Sequence, residues 1–595
     1  MMNQKKNQLD LTKKLKHYVD LNNKTHINRL NPHYKLNLDT KTKLRFTPLG
    51  GLCEIGGNMA VLETENDAIV IDVGMSFPTE DMHGVDILVP DFSYLRTIKN
   101  KIRAVIITHA HEDHIGAMPY LFREMQFPTY GTSLALQMIA AKFDEHRLSK
   151  FNNLLRPIEK RTLVEVGEFK IEWMHITHSI IDCSSLAITT DAGTIIHTGD
   201  FKIDHTPVDN FPTDLHRFAH YGEQGVLLLL SDSTNSYNPS FTPSEKTVGP
   251  TFDRIFKEAK GRILMSTFSS NAHRIYQAIE RAITFDRKVC IIGRSMEKNM
   301  NIAIELGYLK IPQNVLIGIE DARKLEDDKV LIVTTGSQGE PMSALYRISI
   351  GEHKQIKLKA EDTVVISAKA IPGNEGGVSK LMNNILKCGA KTIYTDYGNI
   401  HVSGHASAEE QKLMLRLCKP KFFMPVHGEY NHINKHAQTG IACGILEKNI
   451  LLMEDGATIE IHPRYMRKVA NAKSGKSFID NNNNRLIENN VVSERQRLAN
   501  DGLIYISLFI NKDEKKLQQK AKVSFYGLVG RTEERNVAKD IEGIIQTCVS
   551  QSDKLGNDKG VEADVRLAVK KYFVRMYRKY PDIDINIFTL DTVTA

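Results

Sequence analysis

Four side chains of the kinds that hold metal ions, His109, His111, Asp113 and His114, lie within six positions directly behind the apolar run Arg103 to Thr108. Such a run reads as a buried strand. Alternate residues of a strand share a face, so His109 and His111 can point together, while Asp113 and His114 fall in the turn leading into the helical pattern Ile115 to Met125. Two imidazoles suit a zinc ion, and a carboxylate with a further imidazole suits a second divalent cation. Four residues cannot close two coordination shells, so the fold must bring more ligands from other strand ends. The candidates are His178 in Ile176-Thr177-His178-Ser179, Asp200 at the end of Ile195 to Asp200, and His427 in Met424 to Glu429. Asp200 has two oxygens with which to bridge two ions. Asp72, after Ile69-Val70-Ile71, is read as a hydrogen-bond acceptor behind a ligand imidazole, with a structural strand-end aspartate as the alternative.

At 595 residues the chain is long enough for several domains. Short β-branched or Leu-rich runs (Ala68 to Val73, Thr194 to Thr198, Val226 to Leu230) end in polar loops, the pattern of a sheet-dominated α/β domain with function at the strand ends. From about Pro250, strand-like runs at Ile263 to Met265, Val289 to Ile292, Val330 to Thr334 and Val364 to Ile366 alternate with amphipathic helices, as in a parallel sheet. The divisions expected are an Asn- and Lys-rich flexible arm (1–43), a first domain in two parts (44–247 and 396–465) interrupted by an inserted α/β domain (248–395), a linker (466–495) with the tract Asn481 to Asn484, and a small α+β domain (496–595). The arm is either a solvated tail or a basic segment touching nucleic-acid phosphates. Trp173 and Met174 read as core, and Tyr572, Phe573, Met576 and Tyr577 as helix packing or a subunit contact.

Composition excludes more than it selects. The 41% hydrophobic and 25% charged content is that of a soluble globular protein. No signal-peptide-like start and no membrane-spanning apolar stretch is found, so a cytoplasmic protein without a membrane partner is expected. Seven scattered cysteines with no Cys-x-x-Cys pair fit a reducing compartment. A formal charge of +7 permits a polyanionic partner without demanding one.

The acid at Asp72, the cluster 109–114, and the later His178 and Asp200 resemble the metallo-β-lactamase superfamily, which includes lactamases, thioesterases, lactonases and nucleases. Asp232 in Leu230 to Thr234, His405 in His401 to Ser407, and His427 resemble the three further motifs of the β-CASP nucleases. Within that group the chain resembles the bacterial ribonuclease J family from Leu44 onward. The matching stretches include Pro48 to Gly51, Thr108 to Gly116, His197 to Lys202, Ser266 to Asn271, Gly293 to Met296, Gly336 to Pro341 and His427 to Tyr430. It departs at Cys53 and Gly57, where the family has Gly and Lys, and at Ile181, Cys183 and Ser185, where Pro, Ser and Gly are usual.

The resemblance implies an αββα sandwich with an inserted β-CASP α/β domain and a small C-terminal α+β domain. It implies a two-metal ribonuclease with zinc, or manganese or magnesium, held by His109, His111, Asp113, His114, His178, Asp200 and His427. In-line attack on phosphorus follows from such a site, with His405, its imidazolium favoured by Asp232, as the acid that protonates the leaving oxygen. Asp113 is counted with the catalytic groups as well as the ligands. Ser269, Ser367, Ser403, Gly404, His405 and Ala406 are candidates for holding substrate phosphates. The family likeness further implies 5′-to-3′ exonuclease action on 5′-monophosphate RNA, endonuclease action, a role in mRNA decay and rRNA processing, dimers or tetramers through the C-terminal domain, and an RNA helicase as partner. The rivals are a DNA-directed β-CASP nuclease, a thioesterase-type hydrolase, which would have no use for Asp232 and His405, and a binding module that has lost catalysis.

Overall fold

The structure, a computed structural model, describes residues 2–79, 81–371, 374–480, 485–511, 516–551 and 558–589. It divides into two compact units, Met1–Phe77 with Val89–Lys476, and Pro78–Leu88 with Ser477–Ala595.

In the larger unit the apolar runs become two facing sheets. One has eight strands, in the edge-to-edge order Tyr465–Asn471, Ala457–His462, Leu44–Gly50, Met59–Glu63, Ala68–Ile71, Ile102–Ile106, Thr129–Gly131 and Leu155–Pro157. The other has six, in the order Phe422–Val426, Val226–Asp232, Gly193–His197, Ser184–Thr190, Phe169–His175 and Leu163–Val166. Their inner faces share one core that includes Phe46, Ile69, Ile106, Trp173, Leu228 and Met424. Trp173 is fully buried, and its indole N–H donates to Ile107 O at 3.0 Å. The insertion is a five-stranded, wholly parallel sheet in the order Lys288–Ile292, Val330–Thr334, Ile263–Ser266, Thr363–Ile366 and Lys391–Ile393, with helices such as Ala272–Thr284 and Glu375–Lys387 between strands. The facing sheets and the inserted parallel domain expected from the sequence are thus both present.

The smaller unit holds the strands Leu503–Asn511, Lys516–Leu517, Lys522–Tyr526 and Asp582–Thr589 with the helices Glu534–Gln551 and Asp558–Tyr577. Phe573 is fully buried in its core and Met576 is 58% exposed, so the aromatic stripe is packing with one outward residue.

Two expectations need correction. The arm expected to be flexible carries a 29-residue helix, Met2–Leu30. It holds no Gly or Pro, and its Lys, Leu and Gln are good helix formers, so helix forms there without the apolar periodicity that usually reveals one. Pro32 then ends it, and Pro32 and Leu36 are buried at the root. The expected linker is structured too. Tyr465–Asn471 completes the eight-stranded sheet, while the antiparallel pair Lys476–Asp480 and Arg485–Ile487 and the helix Asn489–Asp501 follow. Low apolar content hid these strands because their backbone pairing needs few buried side chains, here Ile479 and Val492. The tract Asn481 to Asn484 lies outside the described residues. Among the described residues no helix is long and apolar enough to cross a membrane.

Candidate metal centre and proton donor

The turn after Ile102–Ile106 is locked by backbone pairing. Val73 N donates to His114 O at 2.8 Å, Met75 N to Glu112 O at 3.1 Å and Asn58 N to Asp113 O at 2.9 Å. Gly74 makes this approach possible, since a Cβ there would lie 1.7 Å from Asp113 O. The sequence pattern put Asp113 and His114 in the turn leading into a helix; they sit in a short helix of their own, Glu112–Ile115, closed by Ile115 N donating to His111 O at 2.9 Å and Gly116 N to Glu112 O at 2.7 Å. Asp72 and His427 have φ of 56° and 54°, left-handed conformations that cost non-glycine residues about 1–3 kcal/mol each and collect at functional sites.

All seven expected ligands come together. One set of donor atoms within 4.8 Å of one another belongs to His109, His111, His178 and Asp200, and a second to Asp113, His114, Asp200 and His427. Asp200 belongs to both: its Oδ2 is 3.8 Å from His109 Nε2, 3.7 Å from His178 Nε2 and 3.3 Å from His114 Nε2. In the first set, His111 Nδ1 is 3.1 Å from both His109 Nε2 and His178 Nε2. Burial, reinforced by neighbouring imidazoles, holds His109 and His178 well below the ordinary histidine range, and burial takes His111 down to about 4. These rings are neutral, and their nitrogens converge on one point. In the second set burial again opposes charging, but Asp200 overrides it and raises His114 and His427 well above the ordinary value. Positive charge is therefore demanded where Asp113, His114, Asp200 and His427 meet. His427 Nε2 is buried and makes no hydrogen bond, 3.5 Å from Asp113 Oδ2. Neutral converging imidazoles, an orphaned nitrogen and carboxylates that draw positive charge to one point fit divalent cations.

The supports are as specific as the donors. His114 Nδ1 donates to Asp72 Oδ2 at 2.7 Å, and the Thr108 hydroxyl donates to the same oxygen at 2.7 Å. His178 Nδ1 donates to Gly404 O at 2.7 Å, which turns Nε2 inward. A Cβ on Gly404 would fall 2.7 Å from the His178 ring. His405, its side chain 22% exposed, donates from Nδ1 to Asp232 Oδ2 at 2.7 Å. Burial would lower its pKa, but the Asp232 charge and hydrogen bond raise it. The other Asp232 oxygen accepts from Thr234 N at 2.9 Å and Thr234 Oγ1 at 2.8 Å.

Among the expected phosphate contacts, Ser403 Oγ accepts from His405 N at 3.1 Å, Ala406 is buried and Ser269 is half-buried in a turn. Ser367 departs from expectation. It is fully buried and donates to Ile400 O at 2.6 Å, so it braces the loop from behind.

Sequence reasoning missed several supports. Arg274 is fully buried; Nη1 donates to Ile400 O at 3.1 Å and to Ser367 Oγ at 3.1 Å, and Nη2 pairs with Glu245 Oε2 at 2.8 Å. Glu410 accepts from Ser407 N (2.8 Å), Thr242 N (2.7 Å) and Ile203 N (2.7 Å). Ser407-x-x-Glu410 is a capping box, a signal legible in the sequence. Asn58 Nδ2 donates to Asp113 Oδ2 at 3.2 Å, and nothing local announced it.

Comparison with known proteins names this arrangement. Family models match residues 54–236 (metallo-beta-lactamase superfamily), 260–385 (ribonuclease J, beta-CASP domain), 395–449 (Zn-dependent metallo-hydrolase RNA specificity domain) and 490–590 (ribonuclease J C-terminal domain). A ribonuclease J of Helicobacter pylori (strain B128) is 57% identical over 577 residues, covering 97% of this chain and 84% of the relative. The chain belongs to the ribonuclease J family. Other relatives are a ribonuclease J of Synechocystis, 44% identical with 80% of this chain and 74% of the relative covered, and a ribonuclease J 1 of Streptococcus pyogenes, 42% identical with 77% and 81% covered. As a member of that family the chain is a metal-dependent hydrolase.

Proposed function

We propose that the chain hydrolyses RNA phosphodiester bonds with two divalent cations, zinc in the first instance, acting as a 5′-to-3′ exonuclease on 5′-monophosphate ends with endonuclease activity besides. The observation that carries it is the meeting of three four-residue donor sets at Asp200, the third of them formed with Asp232, His405 and His427. The cations would supply charge neutralisation at the scissile phosphate and an activated water, held by His109, His111 and His178 on one side, by Asp113, His114 and His427 on the other, and by Asp200 between.

The remaining work belongs to this chain's own side chains. Asp232 keeps His405 protonated and aimed, with Nε2 free of the Asp232 contact, so His405 can deliver a proton to the leaving oxygen. Gly404 O fixes the His178 ring. Ser269 and the loop Ser403-Gly404-His405-Ala406 are proposed to hold substrate phosphates, which supports recognition of a 5′-phosphate end. Arg274 holds that loop from the interior. The same proposal places the activity in cytoplasmic mRNA decay and rRNA processing beside an RNA helicase, with dimers or tetramers formed through 496–595. Exposed Leu567, Met576 and Phe588 support such a contact.

The test uses end-labelled RNAs bearing 5′-monophosphate, 5′-triphosphate or 5′-hydroxyl, beside matching DNA, with the metal-loaded chain and a His109→Ala/His111→Ala double variant. Processive loss from the monophosphate end, absent in the variant, is expected. Equal handling of all four nucleic acids would overturn the specificity.

A further inference from the structure

Between residues 1 and 43 the sequence has ten Lys and Arg and three Asp, a net +7 that equals the formal charge of the whole chain. Residues 44–595 therefore carry 68 basic and 68 acidic side chains and are formally neutral. All of the net positive charge sits on the segment that forms the N-terminal helix and its root.

That helix is built to display charge. Its 29 residues span about 43 Å, and every residue from 10 to 30 is exposed. Among the described residues Lys13, Lys14, Lys16 and Lys24 make no ion pair, and the acids on this stretch are Asp10 and Asp20 alone. The root is firmly attached. His33 Nε2 donates to Lys419 O at 2.8 Å, Lys419 Nζ donates to Arg29 O at 2.7 Å, Lys35 Nζ donates to Glu223 O, and His462 Nε2 donates to Thr40 O at 3.0 Å.

The position of the root says which part of a substrate the arm can meet. It sits where the parallel strands Val226–Asp232 and Phe422–Val426 begin, whereas Asp232 and His427 lie where they end. The six residue steps from Val226 to Asp232 separate the two ends by about 20 Å, so the root lies at the opposite end of these strands from the metal cleft.

We propose that the N-terminal helix is an RNA-holding arm that captures the phosphate backbone of long substrates at a distance from the cleft, leaving the chemical step untouched. This inference rests on the ribonuclease activity proposed for the chain. A polyanion suits the arm better than a lipid surface does. A membrane-lying helix needs a broad apolar face, usually with Trp or Phe, and here the apolar stripe Leu11, Leu15, Tyr18 gives way to Asn22, Thr25 and Arg29 along the same face.

The test compares the full chain with a Lys13→Gln/Lys14→Gln/Lys16→Gln/Lys24→Gln variant and with the corresponding four-fold Lys→Arg variant. Retention of a long single-stranded RNA on filters is followed against salt, and turnover of a short RNA is followed separately. The Gln variant should bind the long RNA about tenfold more weakly at low salt, with the slope of log affinity against log salt reduced by about 0.7 for each lysine that touched a phosphate. Turnover of the short RNA should be unchanged, and the Arg variant should bind like the parent. Equal retention and equal salt slope in parent and Gln variant would overturn the arm. So would parent binding to phosphatidylglycerol vesicles that the Gln change abolishes while RNA retention stays, or a shift in assembly mass that accounts for the whole loss. Because retention is read without cleavage, a parent that retains long RNA but cleaves no RNA would sink the ribonuclease proposal and not the arm.

Discussion

The turn at 109–114 and the loop at 400–407 deliver imidazoles to one cleft, and they are held there by opposite means. The turn is pinned by backbone hydrogen bonds from residues 58, 73 and 75, short-range pairing that a strand end makes with its neighbours. The loop has little pairing of its own. It is held by a buried Arg274, whose cation is matched by Glu245 and whose N–H groups reach Ile400 O and Ser367, and by Glu410, which accepts from Ser407 N. The turn should therefore depend on what its side chains bind, and the loop on a buried ion pair placed elsewhere in the chain.

The largest effect should come from the turn. His109→Ala/His111→Ala is expected to lower RNA cleavage by about a thousandfold or more and to reduce bound metal measured by elemental analysis, with little change in thermal unfolding of the metal-free protein. Full metal content in the inactive variant would break the assignment of these rings as ligands. On the loop, Asp232→Asn should cost about a hundredfold while metal content holds. His405 must be protonated to act, and Asp232 raises its pKa; without that charge the alkaline limb of the rate profile moves to lower pH. A limb that stays in place would mean that His405 is not the acid.

Arg274→Met leaves the buried Glu245 carboxylate without its hydrogen-bonded guanidinium, which should destabilise the protein by about 3–5 kcal/mol and lower kcat about tenfold. Adding Glu245→Gln should recover most of the stability but not kcat, because the loop carbonyls still lack their donor. Recovery of both would reduce Arg274 to a packing residue. Where the loop meets His178, Gly404→Ala presses a methyl on the imidazole ring and should weaken metal binding about tenfold, read by competition with a chelator.

The smallest effect lies outside both regions. Asp455 accepts from Leu52 N at 3.2 Å, and burial, with Glu54 nearby, pushes its carboxyl up to about 7. The folded state keeps this proton over a window in which the unfolded chain has lost it, so stability from this group is full below about pH 4 and is lost as pH rises toward 7. Asp455→Asn should flatten that part of the unfolding profile; an unchanged slope would remove the group from the account.

How much was legible depended on distance along the chain. The ligands of the turn could be read because they are contiguous and follow an apolar run, and His178, Asp200 and His427 because each ends a β-like run. Asp232 and His405, 173 positions apart, were paired by family resemblance and not by any local pattern. Arg274 was invisible. It sits on an amphipathic helix, Ala272–Thr284, where an arginine ordinarily marks the solvent face. Ser367 was read as a phosphate contact because a serine at a strand end looks open, and only burial shows its hydroxyl bonded to Ile400 O. The N-terminal helix was missed because its residues from 10 to 30 are all exposed and its apolar stripe, Leu11, Leu15 and Tyr18, is too short to mark a buried face.

By itself the sequence determined which segments become strands and which side chains stand at their ends, because strand periodicity and turn chemistry act over a few neighbouring residues. The tertiary structure alone decided which strand ends meet around Asp200, which carboxylate charges which imidazole, and which arginine is buried. Those outcomes depend on desolvation and on Coulomb interactions between groups hundreds of positions apart, and these take their values only once the two sheets have closed on each other.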